Sequence, residues 1–252
     1  MSKLVSWLLT PIFYLGFALV LLYFELEFRI GQLLGKPSFN STRDRLHFCL
    51  TGLLKLIGCS IGVSGRENIQ DDKSYLFLCN HQSMFDLTLL FTTLAPLRPV
   101  FVPKKELAKG IPSISFVINR DGSAIIDRKN PKQSLRALAA LGKRTKEKKL
   151  SVVLFPAGTR SSDGSVGSYK HAGLSSLIKS AGQDLKVIPT YLHGPAKIVG
   201  GVFKPVGVGS KLNIVFGDEI DHSSFEGGHK AMVNEVEEWA RQQHENFNIE
   251  KS

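Results

Sequence analysis

The chain of 252 residues is long enough for one substantial domain, and its 43% hydrophobic and 21% charged residues exclude a disordered polyampholyte. Its three cysteines form no C-x-x-C pair, which excludes a disulfide scaffold and predicts neither a zinc site nor a redox site. The formal net charge is +10, and residues 101–150 carry 13 basic and 4 acidic side chains. Such a basic stretch predicts an anionic partner, which is a nucleic acid, an anionic membrane or a phosphorylated small molecule.

The first predicted element is a long apolar helix close to the amino terminus. The run from Leu4 to Phe24 contains no charged side chain, and as a helix it spans about 31 Å, the thickness of a bilayer's hydrocarbon core. Trp7 and Tyr23 lie near its two ends, where amphipathic rings are common in membrane helices. The alternatives are a cleaved signal peptide, since Gly16-Phe17-Ala18 loosely resembles a cleavage site, and a buried helix of a soluble protein. Because the apolar run continues past Ala18, we predict a membrane anchor.

A second apolar stretch, from Leu46 to Ile61, carries His47 and Lys55 and is therefore amphipathic. Its apolar side chains recur at helical spacing: Leu46, Leu50, Leu53, Leu54, Ile57 and Ile61. This helix either lies in the membrane interface beside the first helix or covers the protein core. The sequence leaves both arrangements open.

The remainder predicts an α/β domain, in which short apolar strands alternate with helices around a largely parallel sheet. The predicted strands are Tyr75–Cys79, Val100–Val102, Ala124–Ile126, Val152–Phe155, Val187–Ile188 and Leu212–Phe216. Asn130-Pro131 predicts the start of one helix, because asparagine caps helices and proline fits their first turn. A last helix places one apolar face on Met232, Val233, Val236, Trp239, Ala240 and Phe247.

The first segment with chemical potential is Asn80-His81-Gln82-Ser83-Met84-Phe85-Asp86, directly after a predicted strand. His81 and Asp86 would point apart on a continuous helix, but a helix that begins near Ser83 leaves His81 free to fold back onto its first turn. Asp86 can then accept a hydrogen bond from one imidazole nitrogen and leave the other as a general base. The alternative is a capping box, since Ser83 and Asp86 have the spacing of one.

The second segment is Phe155-Pro156-Ala157-Gly158-Thr159-Arg160-Ser161, at the end of another predicted strand. Ligands of open α/β sheets bind beyond the carboxyl ends of the strands. Gly158 allows a close approach of the backbone, Thr159 can donate a hydrogen bond, and Arg160 can bind a phosphate with two parallel hydrogen bonds. An ordinary turn with a surface arginine is the alternative.

Two further segments, Lys104-Lys105-Glu106-Leu107 and Ile125-Ile126-Asp127-Arg128, lie in the basic stretch and follow predicted strands. Their cations can offset the charge of a phosphate or be solvated. Asp127 and Arg128 can also form a surface ion pair.

Taken in order, these segments and Val187-Ile188-Pro189 resemble the glycerolipid acyltransferases, most closely the lysophosphatidic acid acyltransferases (1-acylglycerol-3-phosphate O-acyltransferases). The resemblance covers roughly residues 45–220. It implies that His81 and Asp86 are the catalytic pair. It also implies that the acceptor's phosphate is bound by Gly158, Thr159, Arg160, Lys105 and Arg128.

The activity implied is the transfer of a fatty acyl group from a thioester to the free hydroxyl of a lysophospholipid. With 1-acylglycerol-3-phosphate as the acceptor, the product is phosphatidic acid. The donor substrate would be acyl-CoA or an acyl carrier protein, and the chemistry requires neither a metal nor another cofactor. We accordingly divide the chain into an anchor and connector, residues 1–44, and a catalytic domain, residues 45–252, on the cytoplasmic side of the membrane.

Four alternatives remain. The family usually has glutamate where this chain has Ala157, so the acceptor can be a different lysolipid, or the protein can bind lipid without catalysis. Gly58-Cys59-Ser60-Ile61-Gly62 fits the G-x-S-x-G motif of serine hydrolases, but it follows a helical run rather than a strand. Nucleic-acid binding is the weakest, because the basic run Lys143–Lys149 lacks interleaved aromatic residues.

Overall fold

The computed structural model describes residues 3–35, 39–199, 204–223 and 225–249. The helices are α1 (Lys3–Leu33), α2 (Phe39–Leu56), α3 (Asp86–Thr93), α4 (Ile114–Ile118), α5 (Pro131–Lys148), α6 (His171–Ala181) and α7 (Gly228–Ile249). The strands are β1 (Ser60–Ser64), β2 (Tyr75–Cys79), β3 (Val100–Phe101), β4 (Val152–Leu154), β5 (Lys186–His193) and β6 (Lys211–Phe216).

The strands form one sheet in the order β1-β6-β5-β2-β4-β3. Every neighbouring pair is parallel except β5 and β6, which are antiparallel. The predicted α/β class with a largely parallel sheet is therefore confirmed. At the centre, β2 pairs with β4 on one side and β5 on the other, so the carboxyl ends of these three strands share one edge.

One predicted strand is absent, one observed strand was not predicted, and β5 extends well beyond the predicted Val187–Ile188. Ala124–Ile126 is not a strand, because its pairing partner contains Pro103, which has no N–H to donate, and only Ile126 forms an isolated bridge, with Lys104. Strand β1 is absent from the predicted strands because it is a mostly exposed edge strand, Ser-Ile-Gly-Val-Ser, without an apolar run.

The core has two apolar layers, one on each face of the sheet. In β2, Phe77 and Cys79 face a layer completed by α3, whereas Leu76 and Leu78 face α5, α6 and α7. Burial on both faces explains why the central strands have continuous apolar sequences. The predicted start of α5 is confirmed, since the Asn130 side chain accepts a hydrogen bond from the backbone of Gln133.

Helix α1 contacts the domain along one face and exposes apolar side chains on the other. Phe13 and Phe17 pack against Phe85, and further along the helix Leu21, Phe24 and Phe28 pack against α2 and α4. Its exposed side chains include Leu4, Trp7, Leu8, Ile12, Leu15 and Leu19. Among the described residues, α1 is the one helix long and apolar enough to cross a membrane. In its most apolar stretch of 18 residues, only 11% is buried. It is therefore not a helix enclosed in the core.

Helix α2 lies beside α1, against which Leu46 and Leu50 pack, and also covers the core through Leu54, while its position relative to a membrane stays a prediction. Leu46, Leu50 and Leu54 are buried, while Phe48 and Leu56 are exposed. The division drawn between residues 44 and 45 falls inside this helix and stays a prediction.

Candidate active site

The loop after β2 places His81 against Asp86 at the edge shared by the three central strands. The Nδ1 atom of His81 lies 2.7 Å from Oδ2 of Asp86. Helix α3 begins at Asp86, three residues after the start near Ser83 that was considered from the sequence. The fold-back of His81 onto the first turn of this helix is nevertheless present.

Asp86 also accepts hydrogen bonds from the backbone, as the capping alternative expects. Its Oδ2 atom accepts from the N–H groups of Gln82, at 2.6 Å, and Ser83, at 3.0 Å. Asp86 is 0% exposed, and these contacts hold its carboxylate through Oδ2, while Oδ1 has no partner among the described residues. The same oxygen thus holds both the loop backbone and the His81 ring.

This contact determines what the His81 ring can do. A carboxylate only accepts hydrogen bonds, so the proton of the neutral ring lies on Nδ1 and leaves the lone pair of Nε2 free. The side chain is 12% exposed, and the ring stacks on Phe155 with centroids 4.1 Å apart. The arrangement can take a proton from a hydroxyl at Nε2 and stabilise the resulting imidazolium.

Two buried amide side chains connect this loop to its neighbours, and sequence reasoning missed them. Asn80 exchanges hydrogen bonds with the backbone of Leu192 in β5, at 2.7 and 3.0 Å. The Gln82 amide nitrogen donates to the carbonyls of Leu192 and Gly164, at 2.8 and 3.0 Å, and its oxygen accepts from the N–H of Ala196. The sequence feature that could have indicated them is the run of polar residues directly after the fully apolar strand β2.

The loop after β4 is tied to the His81 loop by a backbone hydrogen bond from Ser161 N–H to the His81 carbonyl, at 2.8 Å. Gly158 has a φ of +77°, which L-residues rarely adopt, and its N–H donates to the carbonyl of Phe155. Thr159 and Arg160 are exposed at the tip of the resulting turn. The two predicted segments are therefore in contact.

The basic candidates differ in their surroundings. Partial burial lowers the pKa of the Arg128 guanidinium, Glu106 opposes this effect, and the positive charge of Arg160 lowers it further. The charge of Arg160 therefore acts on Arg128. Lys105, in contrast, forms an ion pair with Asp127 that already offsets its charge.

The remaining sequence candidates lie as follows. Ala157 is 8% exposed and belongs to the apolar layer that contains Tyr169. The motif Gly58–Gly62 runs from the end of α2 into β1, the reverse of a strand-to-helix turn, with Ser60 exposed. Within the described ranges, no three His, Cys, Asp or Glu residues are grouped as metal ligands.

Comparisons with known proteins give the family. Residues 60–193, more than half of the chain, match the family model described as Acyltransferase, and the chain belongs to this family. The resemblance drawn from the sequence motifs is confirmed. The roles of the individual site residues stay predictions.

Particular relatives are named 1-acyl-sn-glycerol-3-phosphate acyltransferase. One, from Pseudomonas aeruginosa, is 33% identical over 132 residues, which are 52% of this chain and 49% of that protein. Another, from Limnanthes alba, is 30% identical over 139 residues, 55% of this chain and 47% of that protein. The chain thus spans about half the length of these relatives.

One solved structure has the same fold over nearly the whole chain. It is the crystal structure of the 1-acyl-sn-glycerophosphate (LPA) acyltransferase PlsC from Thermotoga maritima, with a TM-score of 0.73. The match covers 98% of each chain at 23% identity. This similarity shows that the two chains share a fold.

Proposed function

We propose that this protein transfers a fatty acyl group from an acyl thioester to the free hydroxyl of 1-acylglycerol-3-phosphate, giving phosphatidic acid. The observation that carries the proposal is the hydrogen-bonded His81–Asp86 pair, which a backbone hydrogen bond ties to the loop that exposes Arg160. The names of the relatives add support for this acceptor.

In the reaction, Nε2 of His81 removes the proton from the acceptor hydroxyl as its oxygen attacks the carbonyl carbon of the thioester. Asp86 stabilises the imidazolium that forms. The carbon–sulfur bond then breaks, and the thiolate leaves and takes up the proton from the imidazolium. A thiol with a pKa of about 8.5 is a good leaving group, so no protein nucleophile is needed.

The acceptor's phosphate would lie against the loop after β4. Gly158 permits close approach, Thr159 offers a hydroxyl, and Arg160 offers a planar set of donors, and Arg128 adds a second guanidinium whose pKa responds to the charge of Arg160. Lys105 completes the proposed set, but we expect it to contribute least because Asp127 already offsets its charge.

We further propose that α1 holds the protein on a membrane, with the catalytic domain on the cytoplasmic side. The support is the row of exposed apolar side chains along α1 opposite the face that contacts the domain. Recovery of the full-length protein in the soluble fraction after a carbonate wash would contradict membrane attachment. Digestion of the domain by protease added to the non-cytoplasmic side of sealed vesicles would contradict the orientation.

The activity is tested with purified full-length protein in detergent, offered labelled acyl-CoA or acyl carrier protein and a panel of lysolipids, with the products identified by mass. We expect phosphatidic acid from 1-acylglycerol-3-phosphate and none from a His81→Ala control. Formation of no product with any acceptor would favour a lipid-binding protein. Release of free fatty acid that is lost in Ser60→Ala would favour a hydrolase.

A further inference from the structure

The segment that follows the phosphate loop contains a lysine that sequence reasoning did not assign to the site. The ammonium nitrogen of Lys170 lies 3.6 Å from the point that a Cβ on Gly158 would occupy. Lys170 is exposed, and within the described part of the chain its ammonium forms no ion pair with a carboxylate. Its charge therefore lies free beside the turn that presents Thr159 and Arg160.

The backbone on either side of this lysine is fixed at two consecutive amides. The N–H of Lys170 donates to the carbonyl of Pro156, at 3.1 Å, which holds it against the start of the phosphate loop. The N–H of Tyr169 donates to Oε2 of Glu237, at 2.6 Å. Glu237 lies on α7, far along the chain and outside the residues matched by the family model.

The carboxylate of Glu237 is itself held in place. Arg241, one turn further along α7, donates from Nη2 and Nε to its other oxygen, at 2.7 and 3.2 Å. The Glu237 side chain is 18% exposed, so its contact with the Tyr169 amide is shielded from solvent. A charged acceptor in such a setting makes a stronger hydrogen bond than a neutral one.

We propose that Lys170 is a further binding residue for the acceptor's phosphate and that Glu237 is its positioning residue. The inference rests on the proposed function. In this arrangement α7 fixes the Tyr169–Lys170 backbone, and the ammonium of Lys170 faces the anion from the side of Gly158. This places a cation on the site from a fourth segment, in addition to those that carry Lys105, Arg128 and Arg160.

Glu237 also bears on the absence of a carboxylate at position 157. From α7, Glu237 accepts a hydrogen bond from the Tyr169 N–H. The next N–H along the chain, that of Lys170, donates to the carbonyl of Pro156, the residue before position 157. Fixation of this segment therefore does not depend on a side chain in the loop itself.

The test measures acceptor binding and kinetics in the full-length protein in detergent. Lys170→Ala should weaken binding of 1-acylglycerol-3-phosphate, and raise its KM, by about five- to tenfold, since solvent partly screens an exposed cation. Glu237→Ala should have a similar effect, with kcat and the donor KM within about twofold of wild type. Glu237→Gln, which keeps an oxygen acceptor, should restore most of the binding, and Glu238→Gln, an exposed neighbour, is the matched control.

The double variant separates positioning from a merely structural role. If Glu237 acts through Lys170, the Lys170→Ala/Glu237→Ala protein should bind the acceptor no more weakly than the weaker single variant. If the double variant weakens acceptor binding by the product of the two single-variant factors, the inference is overturned. An unchanged acceptor KM in either single variant would overturn it as well. If Glu237→Ala does not fold, Glu237→Asp tests the same contact, because the shorter side chain withdraws its oxygen from the Tyr169 amide.

Binding measured without donor keeps this result separate from the proposed reaction. A wild-type protein that binds 1-acylglycerol-3-phosphate through Lys170 but transfers no acyl group would contradict the proposed function and support the inference about the anion. If the wild-type protein transfers acyl groups and Lys170→Ala binds the acceptor as tightly as wild type, the proposed function is supported and the inference about Lys170 is contradicted.

Discussion

The loops after β2 and β4 leave the same edge of the sheet from strands that pair with each other, yet they are built in opposite ways. The β2 loop buries Asn80, Gln82 and Asp86 and pairs them in internal hydrogen bonds, except for Oδ1 of Asp86, which has no partner among the described residues. The β4 loop exposes Thr159 and Arg160 at its tip. One backbone hydrogen bond, from Ser161 to His81, joins the two.

The difference matches the two tasks that the proposed reaction requires. A general base must have its tautomer and direction fixed before substrate arrives, and a buried carboxylate achieves this because its hydrogen bonds are strengthened away from water. A phosphate site must exchange its water for a charged ligand at every turnover, so its cations must remain accessible. Substitutions in the first loop should therefore change kcat, and substitutions in the second should change the acceptor KM.

The largest expected effect follows from removal of the base. His81→Ala should lower kcat by about 10² to 10⁴, the usual loss for a positioned general base. Asp86→Asn should approach this loss, because a neutral amide cannot stabilise the imidazolium as a carboxylate does. Circular dichroism should show folded His81→Ala protein.

Ser60→Ala is the control for this prediction, since Ser60 lies on edge strand β1 away from both loops. We expect activity close to wild type. Retention of most activity in His81→Ala would show that the base is another group.

How far sequence alone reaches can be judged from the same two loops. The motifs and the end of β2 were predictable, because a continuous apolar run followed by polar residues marks a buried parallel strand. The start of α3 was not, since Ser83 accepts from the Phe85 N–H and donates its own N–H to Asp86, as a capping residue does, and yet the helix begins at Asp86.

Contacts between segments distant in the chain could not be predicted. Nothing in the sequence near Tyr169 indicates that its amide is satisfied by Glu237, and nothing near Lys105 shows that Asp127 offsets its charge. Both follow from packing of whole elements, which residue spacing within one segment does not encode. The edge strand β1 escaped prediction for a related reason, because an exposed strand needs no apolar pattern.

The second expected effect concerns the exposed loop. Arg160→Ala should raise the acceptor KM by about ten- to a hundredfold, because a hydrogen bond to a charged group contributes about 1.5–3 kcal/mol. The donor KM should change little. Steady-state kinetics with each substrate varied in turn measure both values.

Lys105→Ala provides the comparison for Arg160→Ala. Its effect should be clearly smaller, since Asp127 already pairs with this ammonium. Equal effects of the two substitutions, or an unchanged acceptor KM in Arg160→Ala, would place the phosphate elsewhere.

The third prediction concerns the connection between the loops. Gln82→Met keeps the length of the side chain but removes the donor to Gly164 and the acceptor of the Ala196 N–H, at a cost of about 1–3 kcal/mol, while the Leu192 carbonyl keeps its hydrogen bond from Asn80. In a chain of this size, the melting temperature should fall by about 2–4 °C for each kcal/mol. Both kcat and the acceptor KM should change, by less than in the two preceding variants, because Gln82 touches both loops. A change in only one of them would show that the loops act independently.

The smallest expected effect is that of Ala157→Glu, which tests whether the residue at this position sets the range of acceptors. The methyl group of Ala157 packs near Gly167, where an added Cβ would lie 3.2 Å away, so a longer side chain must turn out of the apolar layer toward the loop. A glutamate there would bring a carboxylate close to Arg160 and reduce the space beside the head group. We expect the preference for 1-acylglycerol-3-phosphate over bulkier lysophospholipids to rise by about fivefold or less.

Ala157→Gln separates charge from volume in this experiment, because it has nearly the same size and no charge. If the carboxylate matters through Arg160, only Ala157→Glu should narrow the acceptor profile, with the donor preference unchanged in both variants. The competing account is that the loop tolerates alanine because Glu237 already fixes the segment that pairs with Pro156. Identical acceptor profiles in the wild type and both variants would favour that account, and the specificity would then reside in the cations and not in residue 157.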